Sequence, residues 1–162
     1  MSPWRHLRAI ALLPFTVAGV IPALIVWRTE EAELTWAFAL PGAALAGLGL
    51  LLVAETVALF ARVGRGTLAP WDPTARLVVR GPYRHVRNPM ITGVVFVLLG
   101  EAAVFGSVPL LIWAGAVFAV NAVYLPLVEE PGLSRRFGED YETYRAHVPR
   151  WLPRVRPWDP SS

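Results

Sequence analysis

Between Leu77 and Gly93 the chain reads LVVRGPYRHVRNPMITG, its densest run of polar, aromatic and turn-forming residues. Gly81-Pro82 is a turn signal. Tyr83, Arg84, His85 and Arg87 crowd phenol, guanidinium and imidazole groups together. Asn88-Pro89 reads as a helix start, with Asn as the N-cap and Pro in the first helical position, where its missing N–H loses nothing. Such a start presents unpaired N–H groups and the positive end of the helix dipole, which suit an anionic ligand group.

Three more polar residues, Glu55, Glu101 and Asn121, lie inside apolar runs. Polar groups in lipid are expensive, so each either hydrogen-bonds between helices or marks a site. At 1.5 Å per residue Glu55 lies about 10 Å from Arg62, Asn121 about 12 Å from Glu129, and Glu101 about 18 Å from Pro89. Asn121, Leu125 and Glu129 fall on one helix stripe at i, i+4 and i+8. Glu129 then sits at the mouth of that helix, where it either meets a cationic ligand, is a solvated charge, or favours the start of the next helix. Glu55 and Asn121 are the weak candidates for catalysis. His6, His85 and His147 lack ligand spacing, and with no Cys in the chain no metal site is expected. Gly47-Leu48-Gly49 follows no strand and is not a nucleotide-binding loop.

The elements that must hold these residues are apolar. Of 162 residues 55% are hydrophobic and 17% charged, and the mean hydropathy is +0.47. This composition fits one membrane-embedded domain spanning 1–162 better than a soluble one. The expected fold is all-α, an integral membrane bundle of four transmembrane helices with a C-terminal amphipathic cytoplasmic helix. The spans are expected at about 9–27, 34–61, 89–105 and 108–128. The first could instead be a signal peptide, but it is long for one and lacks a small-residue cleavage site. Pro14 and Pro22 should kink it. The second is rich in Gly and Ala, which allow close helix contact in lipid. Gly106-Ser107 turns the third span into the fourth.

The C-terminal helix is expected at about 130–147. Leu133, Phe137, Tyr141, Tyr144 and Val148 form its apolar stripe, at steps of four, four, three and four. The tail VPRWLPRVRPW suits the headgroup level. All fifteen basic residues are Arg. Every one except Arg28 falls before the first span, between the second and third, or after the fourth. This asymmetry places both termini in the cytoplasm. The +3 net charge is a topology signal, and nucleic acid is not an expected partner.

The motif at 77–93, the hydrophobic hairpin after it, and EEPGLSRRFGEDYETYRAHVPRWLP from Glu129 resemble the isoprenylcysteine carboxyl methyltransferase and phospholipid methyltransferase superfamily. The resemblance covers roughly 75–153. It implies S-adenosylmethionine bound at the cytoplasmic face. By that resemblance the cofactor contacts are Ala75, Arg76, Leu77, Val78, Tyr83, Asn88, Pro89, Met90, Ile91 and Glu129. The chemistry is compatible, since the cofactor's ammonium and sulfonium want a carboxylate and aromatic faces, its carboxylate wants helix-start N–H groups, and its adenine wants an apolar slot.

Relatives often carry His-Pro followed by Tyr, where this chain has Asn88-Pro89-Met90-Ile91. The prenylcysteine enzymes carry an Arg one turn before the Glu, and Leu125 stands there instead. The implied activity is methyl transfer to a lipophilic or amphipathic carboxylate, amine or similar acceptor reached from the bilayer, in a bacterial inner or plasma membrane. Two alternatives are a non-catalytic binding or assembly protein of the same fold and a sterol-reductase-like enzyme.

Overall fold

The computed structural model describes residues 13–29, 36–60, 62 and 77–159. Every regular element among them is helical. Helix α1, Leu13–Thr29, contains a widened π turn at Thr16–Val20. Helix α2 is Trp36–Leu59. After a short 3₁₀ turn at Gly81–Arg84, α3 runs Pro89–Phe105. Helix α4, Val108–Tyr124, passes through a second π turn at Leu125–Glu129 into α5, Glu130–Phe137. Helix α6 is Glu139–His147.

Among the described residues two helices are long and apolar enough to cross a membrane, Trp36–Leu59 and the continuous Val108–Phe137. The apolar stretches Leu13–Thr29 and Pro89–Phe105 are shorter. At 1.5 Å per residue a seventeen-residue helix such as α3 rises about 26 Å, close to the thickness of a hydrocarbon core. Leu40, Leu51, Ile112, Val120 and Leu127 point outward and stay exposed.

Helix α3 is the central post, with eight buried residues. It crosses α2 antiparallel at two glycine pairs. A Cβ on Gly49 would come within 2.5 Å of the Gly93 carbonyl oxygen, and one on Gly100 within 2.5 Å of the Gly42 oxygen. The two pairs are seven residues apart on each helix, so a single seam of small residues lets the backbones touch. Gly47 faces open space, and of the small residues noted in the sequence only Gly42, Ala46 and Gly49 are seen in this seam.

On its other side α3 packs on α4 through Val94, Leu98 and Ala114, with Val17 and Ala18 of α1 alongside. The α1 contact has a backbone cause. In its π turn the Ile21 N–H bonds to the Thr16 oxygen. The Val17 carbonyl would pair next with residue 22, but Pro22 has no N–H. The Trp113 indole of α4 donates to that carbonyl instead, at 3.1 Å.

The hairpin between α3 and α4 turns as its residues require. Gly106 adopts φ 58°, ψ 24°, and the Ser107 side chain accepts from the Leu110 N–H to cap α4. The single helix expected at 130–147 is two helices, broken at Gly138, which adopts φ 55°. The expected stripe survives the break, because Tyr141, Tyr144 and Val148 form a buried cluster with Leu133 and Phe137 against them.

Candidate active site

The segment before α3 is shaped by the C-terminal tail. Three backbone bonds strap them together: Arg87 N–H to the Pro149 oxygen at 2.9 Å, Arg154 N–H to the His85 oxygen at 3.0 Å, and Trp158 N–H to the Arg84 oxygen at 2.9 Å. The Tyr144 hydroxyl donates to the buried Tyr83 carbonyl at 2.8 Å. Burial pushes the Tyr144 phenol up, so this donor keeps its proton.

From Leu77 to Val79 alternate residues join different clusters. Leu77 and Val79 pack on Tyr141, Tyr144 and Val148. Val78 packs with Phe60, Tyr83 and Met90. Thus Val78, Tyr83 and Met90, three of the expected cofactor residues, line one apolar wall, and Leu77 lies in the other cluster. Phe60, which the sequence reading passed over, meets the Tyr83 ring edge-on, with centroids 5.5 Å apart and an 86° interplanar angle. Its place at the cytoplasmic end of the second expected span was the available signal. Ala75 and Arg76 lie outside the described residues.

The helix start departs from expectation in one detail. Asn88 occupies the N-cap position but makes no side-chain cap. Its amide donates to the Arg150 carbonyl across the tail, at 3.4 Å. With Pro89 buried in the first position, the Met90 and Ile91 N–H groups have neither an intrahelical acceptor nor a cap among the described residues. Met90 is buried and Ile91 half-buried.

The acidic pair divides into two roles. The π turn closes with the Glu130 N–H on the Leu125 oxygen, which stacks Glu130, not Glu129, above the buried Leu125. Glu130 is 6% exposed, and its Oε1 takes Arg87 Nη1 at 2.9 Å and Arg150 Nε at 2.6 Å. Arg150 Nη2 donates to the second oxygen at 2.9 Å, and Arg145 stands 3.8 Å away. The carboxylate is fully committed to this clamp. Arg87 also reaches the Tyr141 hydroxyl at 3.4 Å.

Glu129 is half-buried and has no hydrogen bond or ion pair among the described residues. It lies close enough to Tyr83 to act on its ionisation. Burial pushes the Tyr83 phenol well up, with Tyr144 and Glu129 adding to the effect. Tyr83 therefore remains a neutral ring beside an uncommitted carboxylate.

The other candidates lie elsewhere. Asn121 spends its amide on the Val117 carbonyl one turn back, at 2.8 Å. Glu101 has one carboxylate oxygen buried without a partner among the described residues. Glu55 is exposed near the end of α2, at an open groove of about 420 Å3 lined also by Gly81, Pro82, Arg84, His85 and Pro157.

No curated protein and no solved structure was found to match the chain. The phospholipid methyltransferase family matches residues 37–140, most of the chain. The match takes in α2, α3, α4, α5 and the first residues of α6, and stops short of the tail. The chain belongs to the phospholipid methyltransferase family.

Proposed function

We propose that this family member is an integral membrane enzyme that binds S-adenosylmethionine between the Tyr83 turn, the start of α3 and Glu129, and methylates an amphipathic acceptor reached from the bilayer. The observation that carries the reading is the uncommitted Glu129 carboxylate beside the buried, neutral Tyr83. The donor set fits the cofactor. Glu129 can pair with an ammonium, the Tyr83 ring offers a face to a cation, the uncapped Met90 and Ile91 N–H groups suit a carboxylate, and Val78, Phe60 and Met90 provide an apolar wall. Ala75 and Arg76 stay in the proposed set on the resemblance alone.

Bound S-adenosylmethionine supplies an electrophilic methyl group on a sulfonium. The protein's share is to fix its approach and exclude water, the terms that dominate a displacement needing little covalent help. The clamp of Arg87, Arg150 and Glu130 serves this by holding the loop, the helix start and the tail in one arrangement.

Leu125 is 2% exposed, so that position presents no cation to a carboxylate acceptor. The family's name points to a phospholipid, and the headgroup atom able to take a methyl group is an amine nitrogen. In this reading all four apolar helices span a bacterial inner or plasma membrane, with both termini and the site in the cytoplasm and the tail's Trp151, Leu152 and Val155 at the headgroups. A reporter fused after Ser162 reads cytoplasmic if the topology is right, and a periplasmic reading sinks it.

Calorimetry on the detergent-purified protein tests the cofactor site. The parent binds S-adenosylmethionine and Glu129→Ala binds at least about tenfold more weakly, a loss of about 1.4 kcal/mol. No binding by the parent, or equal binding by both, overturns the site.

A further inference from the structure

The groove beside the 3₁₀ turn has a polar lining that the cofactor site does not use. Glu55 and Gly81 meet there. A Cβ on Gly81, at φ 55°, would lie 3.1 Å from the Glu55 carboxylate and 3.0 Å from Leu59. Leu59 in turn packs against the Tyr83 and Met90 cluster, so the groove and the proposed cofactor wall share a floor.

His85 also lines the groove and is held by the tail. Its Nδ1 lies 2.8 Å from the Arg154 carbonyl oxygen. A carbonyl only accepts, so Nδ1 carries the hydrogen, and in the neutral ring the Nε2 lone pair is left as an acceptor. Arg84, the one cation among the described lining residues, is already spent. Its Nε donates to the Trp158 carbonyl at 2.6 Å and its Nη2 to Asp159 at 2.9 Å. The groove therefore offers a carboxylate and an imidazole nitrogen, both acceptors, between the carbon walls of Pro82 and Pro157. That lining suits a group rich in N–H donors with short carbon arms and suits an anion poorly.

Resting on the function proposed above, we infer that this groove is the acceptor subsite. It takes a protonated alkylamine, with Glu55 as the partner of the ammonium and His85 Nε2 as its proton acceptor. The N–H bond breaks, its electron pair stays on the amine nitrogen as the nucleophilic lone pair, and the proton forms an imidazolium that the Glu55 carboxylate balances. Among the described residues, Glu55 of α2 and Arg84 line the groove with His85, Asp159 pairs with Arg84, and Arg154 meets the His85 ring through its backbone carbonyl.

The test uses the full-length protein with two amine probes, free phosphoethanolamine and phosphatidylcholine vesicles containing phosphatidylethanolamine. Binding is read first, without the cofactor, by NMR of ring-labelled histidine, with the His85 signal assigned by its loss in His85→Gln. A bound ammonium repels the imidazolium, so the probe that enters lowers the His85 titration midpoint while His6 and His147 stay put. A response to vesicles alone identifies a lipid headgroup, and a response to the free probe identifies a soluble amine.

Activity is read second. His85→Gln retains cofactor binding and loses about 100-fold or more in rate near neutral pH, the scale of a missing general base, with the rate recovering as pH rises. Glu55→Gln raises KM for the amine more than it lowers kcat. An unmoved His85 signal with both probes, or an unchanged rate and pH profile in His85→Gln, overturns the subsite. Failure of the parent to bind S-adenosylmethionine would instead overturn the cofactor site and is read separately.

Discussion

Glu130 carries the sharpest stability prediction. Its carboxylate is 6% exposed, and its two close partners, Arg87 and Arg150, are 10% and 29% exposed. Glu130→Gln keeps the shape and removes the charge, so Arg87 is left as a nearly buried cation. Removing one partner of a buried pair costs about 3–5 kcal/mol. Arg150 can turn toward solvent and Arg145, 48% exposed, contributes little, which places the expected loss near the lower end, about 3 kcal/mol. For a chain of this length each kcal/mol shifts Tm by about 2–4 °C, so the midpoint should fall by about 6–12 °C.

Thermal unfolding in detergent, followed by tryptophan fluorescence, measures it. A double-mutant cycle with Arg150→Gln isolates the pair, and a coupling above about 1 kcal/mol is expected for groups in direct contact. A Glu130→Gln midpoint within about 2 °C of the parent, under about 1 kcal/mol on the same scale, would refute the clamp as a stabilising device.

Two further substitutions probe the supports around the site. Gly100→Ala places a Cβ 2.5 Å from the Gly42 oxygen and 2.7 Å from the Ala46 nitrogen, so α2 and α3 must part, at about 1–3 kcal/mol. Gly47→Ala meets nothing within 4 Å and should leave the same unfolding curve unmoved. Tyr144→Phe removes the 2.8 Å bond to the Tyr83 carbonyl and strands a buried acceptor, lowering stability by about 1–3 kcal/mol in a denaturant titration. Equal midpoints for Tyr144→Phe and the parent would mean water replaces the phenol.

The sequence displayed what depends on local pattern. Apolar runs located α1 to α4, Pro89 marked the start of α3, and Gly106-Ser107 marked the hairpin. The stripe from Leu133 to Val148 identified a real cluster, but its steps suit one helix as well as two, and Gly138 sits on no stripe position, so the break went unseen. The pairing of Asn88 with Arg150 joins residues 62 apart, and the bonds strapping the tail to His85 and Arg84 span comparable separations. Such partners are set by how the chain returns on itself, and composition at either end does not reveal them. Composition likewise showed that α2 is rich in small residues without showing which of them face α3.

The division of labour between Glu129 and Glu130 was hidden for a different reason, which the two π turns share. A regular helix puts Glu129 one turn above Leu125, and a stripe drawn at that period selects it. The chain instead closes Glu130 on Leu125, one extra residue in the turn, and everything beyond is rotated accordingly. In α1 the π turn ends at Val20, two residues before Pro22. Before α5 it ends at Glu129, two residues before Pro131. A proline ring inside a helix collides with the carbonyl four residues back, here Ala18 and Leu127, and widening the preceding turn moves that carbonyl aside. Proline in the middle of an apolar helix thus carries register information. Read with that correction, Leu125 points to Glu130 as the buried partner of the arginines, and the adjacent Glu129 is the carboxylate left without a partner among the described residues.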